Sequence, residues 1–351
     1  MADDALKAAG EVVSPEAAQK ATEAEKAAAR SFESRKVWAR DFLTTEAPRR
    51  RVLLARPAED GNPRAAWMPL GKLGLLVSPG GKGKTALALH LAGHVASGER
   101  WCGLEVVSPG AVALVVGEED REECHRRIKD AWAQLPEEAR RRAADRTLVL
   151  PLAGTGDNRL VTEDPGDRTP TVSERARELL QFLADEAPDG GWALVVVDPF
   201  ARFAGTSAET DNASATRTME VLELLTKLPG DPAVLVTHHT RKRGKDEGDP
   251  VELIRGSSAI KDAARWAAML DSDGEGTAVL RIVKSNYTST AYAVELKTHH
   301  GIPQSGKVRR VTDLDAERTE TKSAKAPKPN GERGGKAPKP NGNQRQFREG
   351  T

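Results

Sequence analysis

The chain has 351 residues, 38% hydrophobic and 4% aromatic, with 53 Lys+Arg against 52 Asp+Glu. That length admits one large domain or two smaller ones, and the even charge balance excludes a globally basic nucleic-acid binder, so any basic binding surface has to be local. Cys102 and Cys124 lack metal-ligand spacing and give no disulfide framework, no apolar run reaches membrane-spanning length, and the opening MADDALKAAGEVV has no signal-peptide core, so a cytoplasmic protein with no membrane partner is expected.

Residues 1–47 are rich in Ala, Glu and Lys, with no glycine after Gly10 before the main domain begins. They read as an extension of one or two exposed helices. In it Trp38, Phe42 and Leu43 are apolar enough to dock on the main domain or on a neighbouring subunit; the alternative is a partly helical segment with no fixed seat. Residues 48–315 alternate strand and helix. Strands are expected at 73–77, 111–116, 147–150, 193–197, 233–237, 278–283 and 291–296, and helices at 84–97, 121–134, 171–186, 213–227 and 258–270. Residues 154–170 read as loop, and the last two strands, with no helix between them, as a hairpin. Such alternation predicts an α/β layered fold with a mostly parallel central sheet. Residues 316–351 are polar, basic and rich in Pro and Gly, with KAPKPNG at 325–331 and again at 336–342. This low-complexity tail cannot bury a core and reads as a solubilising linker, its lysines offering at most weak contact to phosphate.

The chemistry starts at residues 77–85, VSPGGKGKT, between an apolar strand and the helical pattern ALALHLAGHVA. Strand, glycine-rich turn, lysine, hydroxyl and helix make a nucleoside-triphosphate cradle, in which backbone N–H groups and the positive helix end bind phosphate. Pro79, Gly80, Gly81, Lys82, Gly83, Lys84, Thr85 and Ala86 would line it. Lys84 would reach the β- and γ-phosphates of ATP, and Thr85 would help hold Mg²⁺. Ser78 replaces the usual first glycine; Gly80 and Gly81 are expected to supply positive φ instead. The bland alternative is a glycine-rich turn beside a surface lysine.

Three further strand ends carry polar groups toward the same edge. Asp198 closes GWALVVVDPF and is the expected partner of Mg²⁺, direct or through a bound water, completing the site with Thr85; otherwise it is a turn residue before Pro199. Glu118, first past AVALVV, is the candidate to activate water, with Glu119 behind it. Acidic side chains there, Glu119 and Asp120 above all, also suit a helix N-terminus. His238 and His239 end the strand AVLVT, where a side chain could sense the γ-phosphate. Arg241, Lys242, Arg243 and Lys245 follow in a glycine-containing loop and are candidate contacts to nucleic-acid phosphate; Asp246, Glu247 and Asp249 make a solvated charge cluster the alternative. The expected helix 258–270, capped by Ser257 or Ser258, carries Arg265 beside Trp266, either an arginine finger or a surface ion pair.

Taken together, GLLVSPGGKGKTALALHLA, VVGEED with HRRI, VVVDPFARF, THHTRK, RGSSAIKDAARW and VKSNY, in that order over roughly residues 70–300, resemble the RepA-type hexameric replicative helicases of plasmids and the wider RecA-like P-loop ATPases. Ser78 occurs at the first loop position in that group. The resemblance implies a RecA-like core and gives roles to residues. Lys84 and Thr85 hold phosphate and Mg²⁺, Asp198 is the acid on the Mg²⁺ side, and Glu118 activates water. His239 senses the γ-phosphate, Arg127 and Tyr287 pack around the adenine, and Arg265 acts in trans. It implies a homo-oligomer, a hexameric ring, with single-stranded DNA as partner and residues 240–253, or else 204–212, facing the central hole. A primase or initiator protein is a further expected partner, in plasmid or phage DNA replication. The added N-terminal helices, the basic tail and the acids after Lys242 depart from the compact plasmid helicase. The function expected is a replicative DNA helicase or translocase. Two alternatives stand beside it: a recombination or DNA-maintenance ATPase without unwinding, and an ATP-dependent switch that assembles a scaffold for a primase or repressor.

Overall fold

A computed structural model describes residues 36–57, 65–241, 249–287 and 289–317. The chain divides into a unit that ends at Arg50 and one that begins at Arg51. In the first, a single short helix, α1 (Ala39–Leu43), is described, with the Asp41 carboxylate accepting from the Trp38 N–H at 3.3 Å. Val37, Trp38, Phe42 and Leu43 are all exposed. The helices expected over residues 1–35 and the tail beyond 317 lie outside the described residues.

The second unit is built on a nine-stranded sheet. Its central strands are β3 (Leu73–Ser78), β5 (Ala111–Val116), β9 (Trp192–Asp198) and β10 (Ala233–His239), near-continuous apolar runs buried on both faces. Such runs belong to parallel sheets covered by helices on each side. β6 (Thr147–Pro151), β11 (Trp266–Ser272), β12 (Thr277–Ser285), β13 (Tyr292–His299) and β14 (Ile302–Arg310) complete the order β14-β13-β12-β11-β3-β10-β9-β5-β6. β11 through β6 run parallel, whereas β12, β13 and β14 are antiparallel. A small sheet of β1 (Val52–Ala55), β2 (Ala66–Pro69) and β4 (Glu105–Val106) and the pair β7 (Val161–Glu163) with β8 (Pro170–Val172) stand apart from it.

Helices cover both faces. α2 (Lys84–Ser97), α3 (Arg121–Ala131) and α4 (Glu137–Asp145) enclose one core with Leu87, Leu91, Val95, Trp101 and Trp132. α5 (Glu174–Asp185), the short α6 (Phe200–Phe203) and α7 (Asn212–Leu224) enclose the other, around Leu183, Phe200, Phe203 and Leu222. Among the described residues no helix is long and apolar enough to cross a membrane.

Several expectations are corrected. The helix expected at 258–270 is only α8 (Ser258–Ala263), capped by the Ser257 hydroxyl; residues from Trp266 form β11, wedged between β3 and β12. A short alanine-rich apolar run has no periodicity that separates helix from buried strand, and the slot in the sheet decides it. Residues 170–172 pair as β8, so α5 starts only where Ser173 accepts the Ala176 N–H at 3.1 Å. The segment 154–170 contains β7, the helix expected at 121–134 ends at Ala131, and α4, β1, β2, β4 and β14 are additions. The expected hairpin is β12–β13, and β14 extends it.

A phosphate-loop cleft as candidate functional site

In open parallel sheets, loops at the carboxyl ends of the strands form the ligand crevice. Here β3, β5, β9 and β10 all end on one cleft of about 490 Å³. Between β3 and α2 the loop takes positive φ at Gly81 (70°) and Gly83 (89°); Gly80 does not, which corrects that expectation. Gly83 is the N-cap of α2 and lends no side chain to it, so the first N–H groups of a 14-residue helix face the cleft as an anion site. No atom comes within 4 Å of where a Cβ would stand on Gly80 or Gly81, which leaves the loop backbone open to approach.

Lys84 is buried. Its ammonium donates to the Ser78 carbonyl (3.1 Å), the Ser78 hydroxyl (3.3 Å) and the Pro79 carbonyl (3.2 Å). It also lies 3.2 Å from His239 Nδ1. An ammonium can only donate, so this nitrogen accepts and a neutral His239 carries its proton on Nε2. Burial, and then the Lys84 charge, hold the His239 pKa down, in keeping with that neutral ring. Burial also lowers the Lys84 pKa, opposed by the nearby carboxylates of Asp198 and Glu118.

Asp198 is buried at the end of β9, where the Thr237 and Thr85 hydroxyls hydrogen-bond its carboxylate. Burial raises its pKa against those bonds, so a cation beside it would favour the ionised form. A hydroxyl and a carboxylate are the hard oxygen donors Mg²⁺ takes, and with nucleotide phosphates bound one or two protein ligands suffice. Thr85 and Asp198 therefore fit the ion. Among the described residues, no cluster of three or more His, Cys, Asp and Glu forms a cage made of protein alone.

Glu118 and Glu119 both line the cleft. Glu118 is met by Arg202, whose Nε–H donates to its carboxylate at 3.2 Å. Glu119 pairs with Arg127 at 2.9 Å, and Arg127 also bonds Glu123 at 2.8 Å, so this arginine stands at the cleft wall held by two acids. Burial raises the Glu119 pKa, with Arg127 opposing it. Asp120 does what a helix N-terminus asks: its side chain accepts the Glu123 N–H at 2.8 Å.

The cleft thus brings together Gly81, Lys82, Gly83, Lys84, Thr85, Ala86, Glu118, Arg127, Asp198 and His239, ten of the expected residues. Pro79 joins through its carbonyl. Asp130, Pro199, His300 and Ile302 line it as well and were not expected. The last two come from the β13–β14 hairpin, His300 from its turn and Ile302 from the first position of β14, and the turn's Gly301 carbonyl lies 3.2 Å from where a Gly83 Cβ would be. The sequence signal for that turn is the HHG at 299–301, a glycine turn between two β-rich runs.

Other expected residues stand elsewhere. In the parallel register Trp266 faces Gly74 and Met269 faces Val77, so Arg265 sits at the start of β3, at the opposite end from the loop. Its N–H donates to the Leu73 carbonyl (3.0 Å), and its carbonyl accepts from Asn286 (3.2 Å). Tyr287 is at that same end, with the Lys72 ammonium 5.4 Å from its ring centre. Arg241 is tied to the turn at 250–253, its N–H on the Leu253 carbonyl at 2.8 Å and its guanidinium on the Glu252 carbonyl. Lys242, Arg243 and Lys245 lie outside the described residues.

A family model described as AAA domain matches residues 28–245. Among solved structures, the chain is similar to the RadB recombinase, at 18% identity over 66% of this chain and 89% of that one, with a TM-score of 0.43. It is also similar to the KaiC-like protein PH0186 from the hyperthermophilic archaeon Pyrococcus horikoshii OT3, at 15% identity over 69% and 90% of the two chains, with a TM-score of 0.42.

Proposed function

The chain belongs to the AAA domain family, and on that premise we propose that it is a RecA-like, ring-forming ATPase that moves along single-stranded DNA, as a replicative helicase or translocase does. The observation that carries the reading is the split site. Lys84, Thr85, Asp198, Glu118 and His239 meet on one cleft, whereas Arg265 is anchored on the Leu73 carbonyl at the opposite end of β3.

In this reading the loop N–H groups and Lys84 hold the β- and γ-phosphates of ATP, with Arg127 against the base. Thr85 and Asp198 would hold Mg²⁺, which when bound would supply neutralisation of the phosphate charge. Glu118 orients a water and accepts its proton as the water oxygen bonds the γ-phosphorus; the bond to the β-phosphate oxygen breaks, and ADP and phosphate leave. Neutral His239, in contact with Lys84, reports whether the γ-phosphate is present. Arg265 and Tyr287 serve a neighbouring protomer's nucleotide, so the working state is an oligomer, a hexameric ring. Arg241, Lys242, Arg243 and Lys245 track the strand's phosphates.

The full chain should hydrolyse ATP, do so faster with single-stranded DNA, and separate a forked duplex. Lys84→Ala should cut kcat by at least 100-fold, in line with the share of the barrier such electrostatic contacts carry. Turnover that no DNA accelerates, with the duplex left intact, would replace the motor by an ATP-driven switch or scaffold of the kind a primase or initiator could use.

A further inference from the structure

The phosphate-loop cleft has more wall than phosphate chemistry uses. Lys84, Thr85 and Asp198 belong to its phosphate and cation end, and Glu118 and His239 to the side where water would attack. Beyond them the cleft continues to Arg127 and Asp130 on α3 and to His300 and Ile302 on the β13–β14 hairpin. These two walls are tied together, since the Gln134 amide donates to the Pro303 carbonyl at 3.4 Å.

The hairpin turn consists of His300 and Gly301, between the paired residues His299 and Ile302. Both turn residues take positive φ, 49° and 78°. That is the pattern of a two-residue type I′ turn, in which asparagine, aspartate or glycine is the usual first residue. An imidazole at this place puts a Cβ in the left-handed region, and the turn itself gains nothing from it. The backbone has little freedom to move away, because the Gly301 carbonyl packs against Gly83 of the phosphate loop. The His300 side chain is exposed and meets His299 edge-to-face, with ring centroids 4.2 Å apart and planes at 66°. Such a contact orders a ring and leaves it a free face. Flat imidazole and guanidinium groups are the partners on which nucleobases stack. Arg127 supplies the second of these, held in place by Glu119 and Glu123.

We propose that His300 is the base-stacking residue of the cleft: its imidazole and the Arg127 guanidinium hold the adenine of ATP between them, with Ile302 as an apolar side wall. The left-handed backbone at residue 300 is the cost of placing a ring there. The inference rests on the ATPase reading of the cleft and adds to it a part supplied by the chain that carries the phosphate loop.

The test is titration calorimetry on the full chain with Mg²⁺, using ADP and inorganic tripolyphosphate, which has the phosphate charge and no base. His300→Asn suits the turn and removes the ring. It should weaken ADP by about ten-fold or more, the share a stacked base carries, and leave tripolyphosphate within about two-fold. In steady-state hydrolysis it should raise KM for ATP by a like factor and keep kcat within about two-fold, as a contact made equally in ground and transition states does. His300→Tyr, which restores a flat ring, should return ADP affinity to within about three-fold of the unaltered chain. Unchanged ADP affinity in His300→Asn overturns the proposal. So does an equal loss for ADP and tripolyphosphate, the mark of a turn that only braces the phosphate loop. So does a tyrosine variant that binds tripolyphosphate normally and ADP as weakly as the asparagine variant. An unaltered chain that binds tripolyphosphate as tightly as ADP overturns the base platform and leaves the phosphate loop standing. An unaltered chain that binds neither overturns the ATPase reading, and the base platform with it.

Discussion

Ser78 shows how a residue that breaks a familiar pattern can serve the same end. The first position of a phosphate loop needs glycine only where φ is left-handed or a Cβ would clash. Positive φ in this loop falls at Gly81 and Gly83, and Ser78 has none. Its hydroxyl, fully buried, donates to the Pro79 carbonyl at 3.0 Å and accepts from Lys84 at 3.3 Å, so it adds a third oxygen to the ammonium's cradle. Ser78→Gly removes two hydrogen bonds of roughly 0.5–1.5 kcal/mol each and adds about 0.5–1 kcal/mol of backbone entropy to the unfolded chain. The two carbonyls still hold the lysine. Thermal melting should therefore fall by several degrees, at roughly 2–4 °C per kcal/mol for a domain of this size. KM for ATP should rise no more than about three-fold, since most of the charge-assisted contacts remain. A ten-fold rise would mean that the hydroxyl, and not the carbonyls, places the ammonium.

At the scale of elements, what the sequence reveals depends on how local the cause is. β3, β5, β9 and β10 are legible because each is a continuous apolar run ended by polar residues, and those polar ends supply Glu118, Asp198 and His239. α2 is legible to the residue because the loop glycines set its start and Gly98, at φ 84°, sets its end. β11 is not, because AAML has a helix former's composition and becomes strand only by filling the gap between β3 and β12. His300 and Ile302 are equally hidden: they reach the cleft only when the β13–β14 turn folds over Gly83. Gly93 is a similar case within α2. On helix propensity alone, Gly93→Ala should stabilise by about 1 kcal/mol. Here the added Cβ would meet the ring of Trp132 at 2.4 Å, and that ring is buried with its N–H on the Leu89 carbonyl at 2.9 Å. The crowding, typically about 1–3 kcal/mol for an overpacked core, outweighs the propensity. Gly93→Ala should lower the denaturant midpoint, and a raised midpoint would show that α3 slides without cost.

At the scale of the molecule, β3 is a rod with the phosphate loop at one end and Arg265 hydrogen-bonded at the other. From Leu73 to Ser78 it spans roughly 16 Å, farther than an arginine side chain reaches. Arg265 hangs on Leu73, and the Lys284 ammonium holds the end of α8 just before it through the Asp262 carbonyl at 3.1 Å and that of Lys261. Arg265 is thus built into the rigid sheet away from its own chain's phosphate loop, and in the proposed oligomer its target would be a second protomer's nucleotide. Mixing separates this from a purely structural role. Lys84→Ala protomers have a dead cleft and an intact Arg265; Arg265→Ala protomers have the reverse. Each alone should fall to a few percent of the unaltered rate or less, given the 10³–10⁵-fold effect of such arginines elsewhere. In an equal mixture, an intact cleft meets an intact arginine at about one interface in four, provided protomers assemble at random in a closed ring. Activity should therefore climb to roughly a quarter of the unaltered rate, and at constant total protomer concentration it should follow the square of dilution when inert protomers lacking both residues replace the mixture, because each productive interface needs two partners. A mixture no more active than its components would place Arg265 outside the reaction and overturn its proposed role across protomers.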